Sequence, residues 1–486
     1  MNPANSDQTT PLMQQYWSLK STAPDSLLFF RMGDFYELFD QDATEASKIL
    51  GITLTTRDKN KPNPTPMAGV PHHSAKSYIQ RLLKAGKKVA IGEQLESPTA
   101  SKGLVKRGIV RTFTPAVQFE NEGSETSFLA TISPISDKWI LACLDPSTGE
   151  SRISPPLPLE QLQIEIITLP IVHFILKENE LKKPLENFLN EKDTILIEKL
   201  PTNFLSQSLA LKTLQDHYHA NDLSAFLKSP TEIQSLGTLV YYVISSQKIT
   251  KLAHLKTPVS LYEPKDLTLG PKTAQHLDLI PHTEDSPSLF QFMNKTRSSL
   301  GSRKLKQWFL SPLKDTKKIT QRQNAIQSLG NNHSILDKIS QKLSTLYDLE
   351  RILGRVNTGL ASPRDILALG QSLKTIPEVK FLIEKNSSNL ISKIHSDLKL
   401  AYSNLDKISL EINQNIKEPP PSHSRDGGIF KRGYNKKLDH LLGLTEGGEK
   451  WLIDLEKTEK EKTGITTLKV KYNRVFGYYI EVTKSH

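Results

Sequence analysis

At 486 residues with 37% apolar side chains, the chain is long enough for about three or four ordinary domains. Its formal net charge of +11 points to a polyanionic partner, nucleic acid before an acidic membrane surface. A single cysteine, Cys143, excludes disulfides within the chain and argues against a thiolate zinc set, and with a polar start and no long apolar run neither a secretory leader nor a spanning helix is expected.

A soluble cytoplasmic protein with no membrane contact is therefore expected. Residues 11–117 read as a compact mixed domain. Leu27-Leu28-Phe29-Phe30 is a short unbroken apolar run, the pattern of a strand buried on both faces. Gly33-Asp34 is turn chemistry. In the extended segment beyond it, Tyr36 and Leu38 share one face while Phe35, Glu37 and Phe39 share the other. The first face suits a core. The second mixes aromatics with a carboxylate, which an apolar core tolerates only when the charge is paired, so Phe35 and Glu37 are expected to look outward at a partner. The alternative is an edge strand with an incidental surface phenylalanine. Asp42 with Glu45 reads as the capping-box start of a helix closed by Gly51. A second helix is expected from Ser74 to Gly86, with Tyr78, Ile79 and Leu82 on one face. Between Arg57 and Lys88 eight basic residues, including Lys59 and Lys76, face the one acid Asp58, and Lys102, Lys106, Arg107 and Arg111 come next without any acid. Such runs are either a solvated face or a phosphate-contacting surface.

Beyond residue 125 the pattern turns to strands at 128–132 and 139–144, a turn at Asp145-Pro146-Ser147-Thr148-Gly149, and helical stretches at 159–167 and 207–218. This is the alternation of an α/β unit. Asp145 and Glu150 could serve as metal-binding carboxylates of a nuclease, although Asp145 opens a turn and is expected to bond the local backbone. Residues 235–246 are helical, and prolines 258, 264, 271 and 281 punctuate the next stretch of chain. Gly301 to Trp308 reads as a helix with its basic residues on a solvated face, and Leu346, Leu349, Leu353, Val356 and Leu360 form one helical stripe. Ser362-Pro363-Arg364-Asp365 combines an N-cap serine, a proline at the first helical position and an acid three residues after the cap. Helices run on to about Ile416 and break at Pro419-Pro420-Pro421 and Asp426-Gly427-Gly428. A long helix at 438–462 precedes an alternating stretch at 468–482, with Lys469, Lys471 and Asn473 on one face and Val470 and Tyr472 on the other.

Several of these stretches together resemble the MutS family of DNA mismatch-repair proteins. Gly33-Asp34-Phe35-Tyr36-Glu37-Leu38-Phe39 is similar to that family's mismatch-reading loop and strand, in which a Phe-x-Glu pair meets the mispaired base. Thr10-Pro11-Leu12-Met13-Gln14-Gln15-Tyr16, Pro66-Met67-Ala68-Gly69-Val70-Pro71-His72-His73 and Gly92-Glu93-Gln94 stand in the family's order. Arg425-Asp426-Gly427-Gly428 with Gly433-Tyr434-Asn435, then Lys462-Thr463-Gly464 and Gly477-Tyr478-Tyr479, resemble its lever and clamp.

The resemblance implies a multidomain fold of mixed α+β and α/β class. Its parts are a mixed mismatch-binding domain at 1–117, a ribonuclease-H-like connector domain at 118–247, a long-helix core/lever domain at 248–435, and an outgoing lever helix with a partial β clamp at 436–486. It implies recognition of mispaired or unpaired bases in duplex DNA at the start of mismatch repair, through insertion of Phe35 and hydrogen bonding by Glu37. Backbone contacts fall to Arg57, Lys59, Lys76, Arg107, Lys469, Asn473 and Arg474. No G-x-x-x-x-G-K-[ST] sequence occurs, so these residues are expected to hydrolyse no ATP, to have no catalytic residue and to hold no metal or cofactor. For the full-length family the resemblance implies ATP and magnesium as cofactors, and a second MutS subunit and MutL as partners. The alternatives are a ribonuclease-H-like nuclease acting through the connector, and a truncated, nonspecific DNA-binding protein that interferes with full-length MutS. The region after Asp426 is expected to fray, since the family covers it with later chain.

Overall fold

The structure, a computed structural model, describes residues 10–57, 64–96, 104–119, 126–178, 183–191, 195–261, 269, 271–280, 286–402, 405–473 and 477–483. These fall into two compact units, residues 1–361 with 375–402 and residues 362–374 with 403–486.

The first unit begins with α1 (Pro11–Thr22), β1 (Ser26–Met32), β2 (Phe35–Phe39), α2 (Asp40–Leu50), β3 (Thr55–Arg57), β4 (Thr65–Pro71), α3 (Ala75–Lys84), β5 (Lys88–Gln94) and β6 (Arg107–Phe113). The sheet order is β3-β4-β2-β1-β5-β6, with β1 and β5 parallel at its centre and the other pairs antiparallel. A central parallel pair needs cover on both faces, which is what the unbroken run Leu27 to Phe30 supplies. Helices α2 and α3 pack on the face carrying Phe29, Tyr36, Leu38 and Ile91. Helix α1 covers part of the other through Met13 and Tyr16 on Leu28, Phe30 and Phe39. Strands β1 and β2 join by a two-residue hairpin, Met32 pairing with Phe35, and Gly33 at φ 57 takes the position that a side chain would strain. Asp42 does not cap α2, as its spacing to Glu45 suggested. It is buried, accepting from Lys20 Nζ at 2.8 Å, Leu28 N at 2.9 Å and the Tyr16 hydroxyl at 3.3 Å, and so ties α1 to α2 and β1.

The next part is three-layered. Its strands are β7 (Phe128–Ile135), β8 (Lys138–Asp145), β9 (Glu150–Ile153), β10 (Ile171–Lys177), β11 (Leu196–Leu200) and β12 (Val259–Ser260). Its helices are α4 (Leu159–Thr168), α5 (Lys183–Asn190), α6 (Gln207–Tyr218) and α7 (Pro230–Gln247). Strands β7, β8 and β9 form an antiparallel meander, and β10 and β11 add in parallel beyond β7, giving the order β11-β10-β7-β8-β9-β12. Leu162 and Ile166 of α4 and Leu185 of α5 pack one face of the sheet; Leu214 of α6 and Leu239 and Val243 of α7 pack the other.

Further helices of this unit are α8 (Pro271–His276), α9 (Leu289–Met293), α10 (Ser299–Leu310), α11 (Thr316–Gly330), α12 (His333–Ser344), α13 (Leu349–Asn357), the part of α14 (Pro363–Ile383) from Thr375 onward, and α15 (Asn389–Tyr402). Two expectations fail here. Helix α13 is too short to hold the five-residue stripe, and it turns Arg351, Ile352 and Gly354 inward while Leu353 and Val356 are exposed. The inward glycine is required, since a Cβ on Gly354 would lie 2.5 Å from Ser147 O. On α10, Arg303 is not solvated but forms a fork on Asp348, Nη1 to Oδ2 at 2.6 Å and Nη2 to Oδ1 at 2.9 Å, and also bonds Glu350.

The second unit takes the start of α14, then α16 (Asp406–Asn415), α17 (Lys436–Thr463), β13 (Lys469–Asn473) and β14 (Gly477–Glu481). The capping box at the start of α14 forms as its sequence spells it: Ser362 N donates to Asp365 Oδ2 at 2.8 Å and Asp365 N to Ser362 Oγ at 3.2 Å. Asn435 caps α17 through Lys437 N and Leu438 N, and Gly464 at φ 68 closes it. Among the described residues no helix is long and apolar enough to cross a membrane.

Candidate nucleic-acid interface

Strand β2 lies between β1 and β4 and is hydrogen-bonded along both edges, so its side chains are sorted by face alone. Tyr36 and Leu38 enter the core beneath α2 and α3. On the opposite face the strand divides. Phe39 is 1% exposed, its ring edge-on to Tyr16 of α1 at 4.9 Å, whereas Phe35 is 48% exposed and Glu37 is half-buried. The cross-strand neighbours help to explain the opening, for Glu37 stands opposite Gly69 and Phe35 opposite Pro71.

Glu37 Oε2 lies 3.8 Å from Arg57 Nη1, and that buried oxygen has no hydrogen-bond partner among the described residues. Burial pushes the carboxyl above its ordinary range, with Arg57 opposing. Held this way, Glu37 can take a donor from a ligand or, protonated, act as one. The Arg57 guanidinium also sits over the Phe39 ring, 5.6 Å from its centroid.

Behind the strand, the Tyr36 hydroxyl donates to Glu93 of β5, while Arg31 and His72 each lie 3.9 Å from the same carboxylate. His72 N donates to Asp34 O at 2.8 Å, pinning the hairpin. Three stretches that the sequence offers separately, around Tyr36, His72 and Glu93, thus converge on one carboxylate. The available signal was the acid at an alternate position of a strand whose Val89 and Ile91 are core residues.

MutS domain I matches residues 10–122, MutS domain II residues 127–256 and MutS domain III residues 272–475. The chain belongs to the MutS family. It is 37% identical over 493 residues to the DNA mismatch repair protein MutS of Halothermothrix orenii, covering 98% of this chain and 54% of that protein. The MutS of Alkaliphilus oremlandii is 35% identical over 492 residues (98% and 55%), and that of Leuconostoc citreum 33% over 486 (98% and 54%). The chain therefore spans about half the length of the curated relatives it matches.

Within the part that matches MutS domain I, the cations separate. Lys76 is exposed on α3, and Arg57 flanks Glu37. Arg107, expected on the phosphate face, is instead buried: Nε donates to Arg31 O at 2.8 Å, Nη1 to Gln15 Oε1 at 3.1 Å, and the guanidinium lies over the Phe30 ring. Its hydrogen bonds are spent inside the protein, and it leaves the candidate set. Lys59 lies outside the described residues.

In the part matching domain III, Lys469 is exposed on β13, Lys471 Nζ pairs with Glu481 at 2.7 Å, and Asn473 ends β13 opposite Gly477. The Asn473 side chain and Arg474 lie outside the described residues. In the part matching domain II, Asp145 is buried and accepts from Ser147 N at 2.9 Å and Ser147 Oγ at 2.7 Å, while Glu150 pairs with Arg152 at 2.6 Å. Asp145 is held by its own turn through Oδ1 alone, its buried Oδ2 having no hydrogen-bond partner among the described residues, and Glu150 is paired with Arg152, so neither is presented as one of several converging acids. No group of three or more His, Cys, Asp or Glu suited to a metal occurs among the described residues.

Proposed function

We propose that this chain recognises mispaired or unpaired bases in duplex DNA at the start of mismatch repair, with Phe35 as an aromatic wedge and Glu37 bonding the displaced base. The observation that carries the reading is the pairing, on one part of a sheet face whose neighbouring positions are packed, of a half-exposed phenylalanine with a carboxylate whose Oε2 faces Arg57 at 3.8 Å but accepts no hydrogen bond among the described residues. A mismatch reader cannot use base sequence and must sense how readily the duplex deforms. A wedge entering from the minor groove meets a smaller unstacking cost at a mispair, and the kink it makes enlarges the contact surface. Arg57, Lys59 and Lys76, with Lys469, Asn473 and Arg474 farther along, are assigned to backbone contacts, which set register without reading sequence.

The strand order of the middle part, three antiparallel strands followed by two parallel ones, supports a ribonuclease-H-like connector at 118–247, between a mismatch-binding domain at 1–117 and a core/lever region at 248–435 with clamp strands after 436. The buried free Cys143 suits a cytoplasmic setting. For a full-length protein of this family we further propose ATP and magnesium as cofactors, and a second MutS subunit and MutL as partners.

The test is an equilibrium titration of this chain with labelled mismatched and fully paired duplexes across a range of salt. Preference for the mismatch by roughly ten- to hundredfold is expected. Binding should weaken steeply with salt as phosphate contacts release counterions. Equal affinity for both duplexes at every salt concentration would overturn the reading.

A further inference from the structure

Gly69 stands in the interior of β4, a strand paired on one side with β2 and on the other with β3. A glycine there weakens a sheet by roughly 0.5–1 kcal/mol relative to alanine, so it calls for a reason. The backbone gives none, because Gly69 is not among the glycines at positive φ. Packing gives none either. A Cβ built on Gly69 would meet Tyr36 O at 3.7 Å and Phe35 Cδ1 at 3.9 Å, both ordinary contact distances. Gly149 and Gly237 are the contrast, where the same atom would lie 2.0 Å from His254 O and 2.7 Å from Ala210 Cβ. The fold forbids a side chain at those two positions and tolerates one at Gly69.

What surrounds Gly69 is the candidate site. It is directly opposite Glu37, so a side chain at 69 would rise on the face that carries Phe35 and Glu37. Residue 69 is also exposed, with the Phe35 ring leaning towards it. We infer that Gly69 is a specificity-determining position: its missing side chain leaves room on the sheet beside Glu37 and the Phe35 ring, so that the displaced base stacked on Phe35 can approach the carboxylate. The inference rests on the mismatch-recognition reading and adds the residue that sets the size of what the site admits.

The experiment compares Gly69→Ala, Gly69→Val and Phe35→Ala in the whole 486-residue chain, by thermal melting and by binding to mismatched and fully paired duplexes. The glycine replacements should melt at or above the parent temperature, since alanine and valine suit a strand interior better. Affinity for the paired duplex should change by less than about twofold, while mismatch preference falls partly in Gly69→Ala and, in Gly69→Val, to roughly the level of Phe35→Ala. Retained preference in Gly69→Val alongside its loss in Phe35→Ala would overturn this inference and leave the wedge intact. Retention in both variants would overturn the wedge itself. Lower melting of the glycine variants with equal loss on both duplexes would overturn the inference about Gly69, the glycine then serving only the sheet.

Discussion

Phe35 and Phe39 lie on one face of one strand, and truncating each should separate stability from recognition. Phe39 is 1% exposed, packed edge-on against Tyr16 and beneath the Arg57 guanidinium, so Phe39→Ala removes a full aromatic from the contact between α1 and the sheet. Such a deletion costs about 3–5 kcal/mol, the transfer loss plus the cavity left behind. Phe35 is 48% exposed, and Phe35→Ala should cost no more than about 1 kcal/mol. Urea unfolding followed by the fluorescence of Trp17, in a background where Trp139, Trp308 and Trp451 are replaced by phenylalanine, suits the comparison, because that indole sits on α1, 5.1 Å from the Tyr16 ring, and reports the covered side of the sheet. A gap of at least about 2 kcal/mol between the variants is expected. Equal destabilisation would show that Phe35 is a packing residue, and the uncovered site would lose its basis.

Glu37 is held above the ordinary carboxylate range by burial, so ionising it costs the folded state: the stability it contributes is greatest in acid and is lost as pH rises through the raised folded value. Glu37→Gln should melt no lower than the parent at neutral pH, and its mismatch affinity should be flat where the parent's declines with rising pH; matching pH profiles would exclude a donating carboxyl. Asp42→Asn leaves the Lys20 ammonium, 2.8 Å away, without its buried partner and should cost about 3–5 kcal/mol by chemical denaturation, with a loss under about 1 kcal/mol counting against the tie between α1 and β1. Helix α17 leaves Trp451 63% and Ile453 68% exposed, and a long helix gains little from propensity alone. Limited proteolysis should therefore cut between Asp426 and Gly464 before it cuts within 10–117. Resistance equal to that of the N-terminal part would mean that something covers that helix.

What the sequence made legible is what local geometry controls. Period-two alternation put Tyr36 and Leu38 in the core and Phe35 and Glu37 outside it, and the capping box at Ser362 needed only residues three apart. What it hid depends on chain brought from elsewhere. Phe39 shares a face with Phe35 yet is buried because α1 crosses it. Asp42 looked like a cap because its partner Lys20 lies on another helix, and Arg107 looked solvated because its acceptors, Gln15 and the Arg31 carbonyl, stand far back in the sequence. The stripe through Leu353 and Val356 faced outward because α13 needs Gly354 against the Ser147 backbone. Gly69 carried no local signal, since its meaning lies in which residue it pairs with.

The most direct measurement is the ratio of dissociation constants for fully paired and mismatched duplexes, taken side by side for the parent chain and Phe35→Ala. A base stacked on an aromatic ring is worth about 1–3 kcal/mol, which corresponds to roughly 5- to 160-fold in affinity. The expected result is a ratio that collapses towards one in the variant through weaker mismatch binding alone, with paired-duplex affinity unchanged. An unchanged ratio, or equal weakening on both duplexes, would contradict the assignment of Phe35 as the wedge.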